Sequence, residues 1–168
     1  MASSTWLKSF LGISVDDDEL QHISQPISEY GVHVTLRYVQ AGSVLGVGIL
    51  GPLMALCEPG VNVISVARMA GKCGKTAALF GFVLGPVVTM FNVRNMNMEQ
   101  ITETCYHYRY HQPQLIVDRM SVAGLGVGSL IGKLAGGNIG YFGAIGIVGG
   151  LIVGEYLSLS ENDNQLKI

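Results

Sequence analysis

The chain has 168 residues, 13% of them charged and 49% hydrophobic, with 23 glycines and a formal net charge of -2. That length suits one domain rather than two, the apolar content at so small a net charge excludes a disordered chain, and the lack of a three-residue glycine period excludes collagen. Soluble domains carry roughly 25% charged residues, so 13% with a mean hydropathy of +0.41 points to a surface that meets lipid rather than water.

From the N-terminus, residues 1–34 read as a polar segment. It carries one lysine in its first stretch and then Asp16, Asp17, Asp18 and Glu19. The acidic run and the missing small-residue cleavage site speak against a secretory signal, and the absence of arginine before Arg37 speaks against a cleaved mitochondrial presequence. Trp6, Leu7, Phe10 and Leu11 would share one face of a short amphipathic helix lying at an interface.

Three uncharged runs follow, each long enough to cross the hydrocarbon at ~1.5 Å per residue: Tyr38 to Cys57, Thr76 to Val93 and Leu134 to Gly154. A fourth span is expected over residues 115–132, with Asp118 and Arg119 neutralising one another or snorkelling near its start. The expected fold is an all-α membrane protein, four transmembrane helices in two glycine-rich hairpins over residues 35–155, with a polar tail at 156–168. Pro52 and Pro86 interrupt the first two spans and are expected as tolerated bends.

Glycine displaces leucine throughout these spans. The glycines fall four apart: Gly42 and Gly46; Gly81 and Gly85; Gly124, Gly128, Gly132, Gly136 and Gly140; then Gly146, Gly150 and Gly154. A spacing of four keeps them on one stripe of a helix, where bare backbones can approach closely. Between helices in lipid there is no hydrophobic drive, so such contact is what remains to hold them together. These positions are the expected helix-packing sites.

An even number of spans puts both termini and the middle loop on one side. Arg68, Lys72, Lys75 and Lys133 fall in or beside the two short connections, and the positive-inside rule places those connections inward, in the cytosol or mitochondrial matrix. Arg68, Lys72 and Lys75 form a basic stripe suited to anchoring or to anionic lipid headgroups, with Lys133 at the other short turn. The middle loop holds Cys105, His107 and His111 near Glu99 and Glu103, but without the second paired ligand set of a zinc site. Tyr106, Tyr108 and Tyr110 beside them fit an interfacial aromatic belt. Cys57, Cys73 and Cys105 imply no disulfide framework, and no phosphate loop or metal is indicated. The uncharged spans disfavour a proton pump or ion exchanger.

Arg109 in the middle loop, the stretch from Val122 through Gly124, Gly126, Gly128 and Gly132 to Lys133, and the series from Gly140 to Gly154 resemble the mitochondrial inner-membrane import translocase (Tim) family over roughly residues 35–155. Around Cys105, Arg109 and the Lys133 turn the chain looks most similar to the family branch of the four-helix accessory subunit of respiratory complex I, NADH:ubiquinone oxidoreductase. The resemblance implies a noncatalytic, cofactor-free subunit of the inner membrane, its termini in the intermembrane space, bracing the membrane arm. The implied partners are core and accessory membrane-arm subunits, phospholipids including cardiolipin, and complex III in a supercomplex, with no nucleic acid. The second implied function is that of a protein-import translocase subunit.

Overall fold

The computed structural model describes Phe10, residues 25–110 and residues 112–165, and is helical almost throughout, with no strand among the described residues. Trp6, Leu7 and Leu11 of the expected amphipathic helix lie outside the described residues. Four helices are long and apolar enough to cross a membrane: Pro26–Leu56, Val63–Asn95, Pro113–Leu134 and Ile139–Ser160. The chain is a multi-pass membrane protein.

Helix α1 (Pro26–Val44) opens on a proline, whose fixed φ and missing N–H suit a first turn. It runs on without a break through a π-helical segment, Leu45–Leu50, into α2 (Gly51–Leu56). Pro52 explains the widening. It brings no N–H, and its ring presses on the carbonyl one turn back, so the helix takes up a looser five-residue bond, from Gly51 N–H to Gly46 O. The rod ends at a turn where Gly60 holds φ +86.

Helix α3 (Val63–Asn95) starts from a capping box. The Ser65 N–H donates to Asn62 Oδ1 at 2.8 Å and the Asn62 N–H donates to Ser65 Oγ at 3.0 Å, satisfying two amides that the first turn leaves without partners. Pro86 lies inside α3 without ending it. The middle segment, expected as a loop, is helix α4 (Met98–Tyr110). Its start is held by the Asn97 N–H donating to Gln100 Oε1 at 3.0 Å. Helix α5 (Gln112–Leu134) and helix α6 (Ile139–Gln165) form the second hairpin. The turn falls at residues 135–138 and not at Lys133, so the fourth span begins at Ile139 rather than Leu134. There the Gly137 N–H reaches back to Gly132 O at 2.8 Å, and Asn138 Oδ1 accepts from the amides of Gly140 and Tyr141 at 3.1 and 3.3 Å.

The first two helices also outrun their uncharged stretches, beginning at Pro26 rather than Tyr38 and at Val63 rather than Thr76. A break in hydropathy marks the edge of the hydrocarbon, whereas a helix stops only where its hydrogen bonding does.

Each hairpin closes backbone on backbone. Along α1 and α3, a Cβ at Gly42 would strike Ala77 O, at Gly81 Tyr38 O and at Gly85 the Cα of Thr35; at Gly46 it would lie 2.6 Å from Cys73 O. Along α5 and α6, a Cβ at Gly124 would strike Gly146 O, at Gly128 Phe142 O, at Gly146 Gly124 O and at Gly150 Met120 O; at Gly154 it would lie 2.8 Å from the Cα of Val117. Gly132 faces Phe142 at 2.9 Å, and Gly140 faces the methylene chain of Lys75 at 2.8 Å. Gly136 departs from the expected packing stripe: it sits in the interhelical turn with φ +66 and open space around it, since a left-handed turn needs a glycine there. Gly51 against Ala70, Gly71 against Tyr141 and Gly74 between Val47 and Ala144 are close approaches outside the four-residue series. The last two join α3 to α6, and so one hairpin to the other.

Gly126 and Gly149 meet nothing. This separates glycines that are packed from glycines that are merely present. Gly150→Ala should destabilise the bundle by about 1–3 kcal/mol through overpacking against Met120, while Gly126→Ala and Gly149→Ala should be neutral or stabilising by up to about 1 kcal/mol. SDS titration of micelle-bound protein followed by circular dichroism measures all three; equal losses at the three positions would contradict the backbone contacts.

Candidate functional site

At the end of the bundle where α4 lies, polar and charged side chains collect inside the protein. On α1, Glu29, His33, Arg37 and Gln40 are spaced four, four and three apart and so share one face. Glu29, His33 and Gln40 are buried and Arg37 is exposed. Helix α4 presents Cys105, Tyr108 and Arg109 at three- and four-residue steps, with Cys105 and Arg109 buried. Helix α5 contributes Asp118 and Ser121, each 1% exposed.

Two groupings result. In the first, the guanidinium of Arg109 meets the carboxylate of Glu29 side by side, Nε donating to Oε1 and Nη2 to Oε2, both at 2.6 Å. The planar fork of arginine matches two carboxylate oxygens, which makes this a strong, directional pair. In the second, the Gln40 amide donates to Asp118 Oδ1 at 2.9 Å and to Ser121 Oγ at 2.8 Å, while Ser121 Oγ donates to Asp118 O at 2.8 Å. His33 Nδ1 stands 3.8 Å from Asp118 Oδ2. The ring of Tyr108 lies beside the second group, 5.1 Å from the His33 ring, with the Arg37 guanidinium 4.9 Å over it.

An apolar cluster backs the site: Tyr30 and Val34 of α1 against Ile101 and Cys105 of α4, with Val88, Val93, Met96 and Tyr108 at its edge. The Tyr30 hydroxyl accepts from Asn92 Nδ2 at 3.0 Å, tying in α3. This end is packed like a small water-soluble core, and that packing holds α4 against α1.

The expected candidates distribute as follows. Asp118 turns inward to Gln40 and His33, so its part is not limited to neutralising Arg119 or snorkelling. Glu29, His33 and Arg37 lie on the first helix ahead of the uncharged run from Tyr38, and Asp118 lies in the expected span over residues 115–132. Cys105 is buried with its thiol donating to Pro26 O at 3.3 Å, while His107, two residues on and so on the far side of α4, is exposed. His111 lies outside the described residues. No group of three metal-capable side chains occurs among the described residues. Cys57, Cys73 and Cys105 are free thiols. At the opposite end of the bundle Arg68, Lys72 and Lys133 are exposed, and Lys75 is half-buried with Nζ 5.9 Å above the Tyr141 ring.

The signal for the buried cluster was the four, four, three spacing of Glu29, His33, Arg37 and Gln40. Three of those four residues lie before the first uncharged run, so a search for missing charge passes over them.

Two outcomes follow from the geometry. Glu29→Leu or Arg109→Met alone should cost about 3–5 kcal/mol by stranding a buried charge, whereas the double variant should lose much less, since apolar replacement of both partners is often neutral; denaturant titration of the four proteins in micelles decides. Burial, and after it the Glu29 carboxylate, pushes the Cys105 thiol from 9.0 up to about 12, with Arg109 opposing more weakly. Because the folded form keeps its proton where an unfolded thiol loses it, this contribution to stability is intact below pH 9 and fades as pH rises above that. Alkylation between pH 7 and 9 should therefore remain negligible at Cys105 while exposed Cys57 is labelled, as read by mass spectrometry.

No curated protein matches the chain. The family model described as Protein of unknown function (DUF1757) matches residues 6–160. Since that match runs over nearly the whole sequence, the chain belongs to the DUF1757 family.

Proposed function

We propose that this protein is a noncatalytic structural subunit of the mitochondrial inner membrane, bracing the membrane arm of respiratory complex I and sealing lipid-filled gaps against larger subunits. One observation carries the reading: the polar side chains Gln40, Ser43 and Thr89 of the spans are buried in the bundle, and large apolar side chains face outward. Gln40 is committed to Asp118 and Ser121, Ser43 donates to Val39 O, Thr89 donates to Gly85 O, and Asn138 caps α6. The outward side chains are large and apolar, among them Leu53, Phe80, Phe82, Met90, Leu130 and Ile152. A body of this kind fills space between membrane helices.

The resemblance over residues 35–155 supports the mitochondrial assignment, with Arg109 and the glycines from Gly124 to Gly154 carrying it. On this reading the α4 end and both termini face the intermembrane space. The basic end faces the matrix, where Arg68, Lys72, Lys75 and Lys133 would meet phospholipid phosphates, cardiolipin among them. Complex III is the implied neighbour in a supercomplex.

The second reading, a protein-import translocase subunit, needs a hydrophilic concave face to guide a polypeptide. Gln40, Ser43, Thr89 and Asn138 are the residues that could build it; the first three are buried in the bundle and Asn138 lies in the exposed turn between α5 and α6, which favours bracing over import. Native gel electrophoresis of digitonin-solubilised mitochondria tests the choice. The chain should migrate with NADH dehydrogenase activity, and its depletion should leave the membrane arm incomplete; migration with precursor proteins arrested in import would defeat the proposal in favour of the second reading.

A further inference from the structure

The glycine contacts divide the molecule into two bodies. In the first hairpin, backbone meets backbone from Thr35 against Gly85 to Gly51 against Ala70; in the second, from Gly128 against Phe142 to Gly154 against Val117. A seam of that kind has no compressible side chain to give way, so each hairpin moves as a unit. Between hairpins the contacts differ in kind. At the basic end α3 meets α6, Gly71 against the Tyr141 side chain and Gly74 against Ala144. At the α4 end the tie is polar, Gln40 of α1 holding Asp118 and Ser121 of α5 with His33 beside them. The Glu29–Arg109 pair fastens α4 to α1, so α4 travels with the first hairpin.

We propose that the Gln40–Asp118–Ser121 tie is a latch between two rigid hairpins, which part at the α4 end and pivot on the α3–α6 contact at the basic end. In a membrane a latch made of hydrogen bonds suits this task. Closed, every member has a partner; opened, each must find water, so the interior between the hairpins stays shut unless water or a competing polar group enters. Asp118 lies five residues into the Pro113–Leu134 span, ~7 Å from its start at 1.5 Å per residue. The latch therefore sits where water from the α4 side can reach it once a gap forms. This goes beyond the bracing role and does not depend on which complex the protein joins.

The test uses full-length protein in lipid nanodiscs, with Cys57→Ser and Cys73→Ser to remove background, and N-ethylmaleimide labelling read site by site by mass spectrometry. Ser43→Cys places a thiol three residues beyond Gln40 on the same side of α1, where the native side chain is fully buried. In a separate chain Thr89→Cys places one inside the first hairpin, where Thr89 packs against Gly31. Adding Asp118→Ala, or independently Gln40→Ala, should raise labelling at position 43 by about tenfold or more while position 89 stays protected, because sub-global opening exposes only the groups at the parted surface. An unchanged rate at position 43 in both latch variants would overturn the proposal. A rise at both positions would overturn it too, since the hairpins would then not be rigid units.

Discussion

Two helices in lipid gain nothing by hiding apolar side chains from a solvent that is itself apolar, so what holds this bundle together is the closeness with which its backbones meet. Carbonyl oxygens of Tyr38, Ala77, Met120, Phe142 and Gly146 occupy the places where the β-carbons of facing glycines would be. Dispersion falls steeply with separation, and removing the side chain brings whole ridges of backbone into range. The cost is helical propensity, which the long uninterrupted hydrogen-bonded rods absorb because an unsatisfied amide in hydrocarbon is worse than a glycine in a helix. Most other features depend on this bargain: the weak hydropathy of the spans, the antiparallel register of each hairpin and the slender apolar exterior.

The charged groups follow a different rule. A carboxylate in a low-dielectric interior is tolerated only with a partner that meets its oxygens directly. Glu29 has Arg109, and Asp118 has Gln40 with His33 alongside. Both arrangements sit at the same end, where α4 and the first turns of α1 build an apolar cluster of the ordinary water-soluble kind. The molecule thus has a lipid-type seam along its length and a globular cap at one end. The first is held by missing side chains, the second by filled ones.

The membrane-spanning character was legible because hydropathy is a sum over many residues and tolerates local exceptions. The packing glycines were legible for a related reason: spacing of four is a property of the helix and needs no knowledge of the partner. Gly136 shows the limit of that inference. It continues the numerical series from Gly132 to Gly140, yet the chain reverses there, and periodicity counts through a turn as though it were helix. Gly71 and Gly74 show the converse, since they approach Tyr141 and Ala144 of the other hairpin and stand three apart, outside the four-residue series.

Length, span count, the two-hairpin order and the basic character of the short connections were set by the sequence alone, because each follows from composition along one chain and from the thickness of a bilayer. Which end of α1 is buried, what Arg109 and Asp118 hold, and that the segment from Met98 to Tyr110 is a helix packed against α1 were decided only in three dimensions. Those features depend on groups up to 81 residues apart meeting within hydrogen-bonding distance. A carboxylate carries the same letter whether it faces water or a guanidinium, and only the fold determines which it meets.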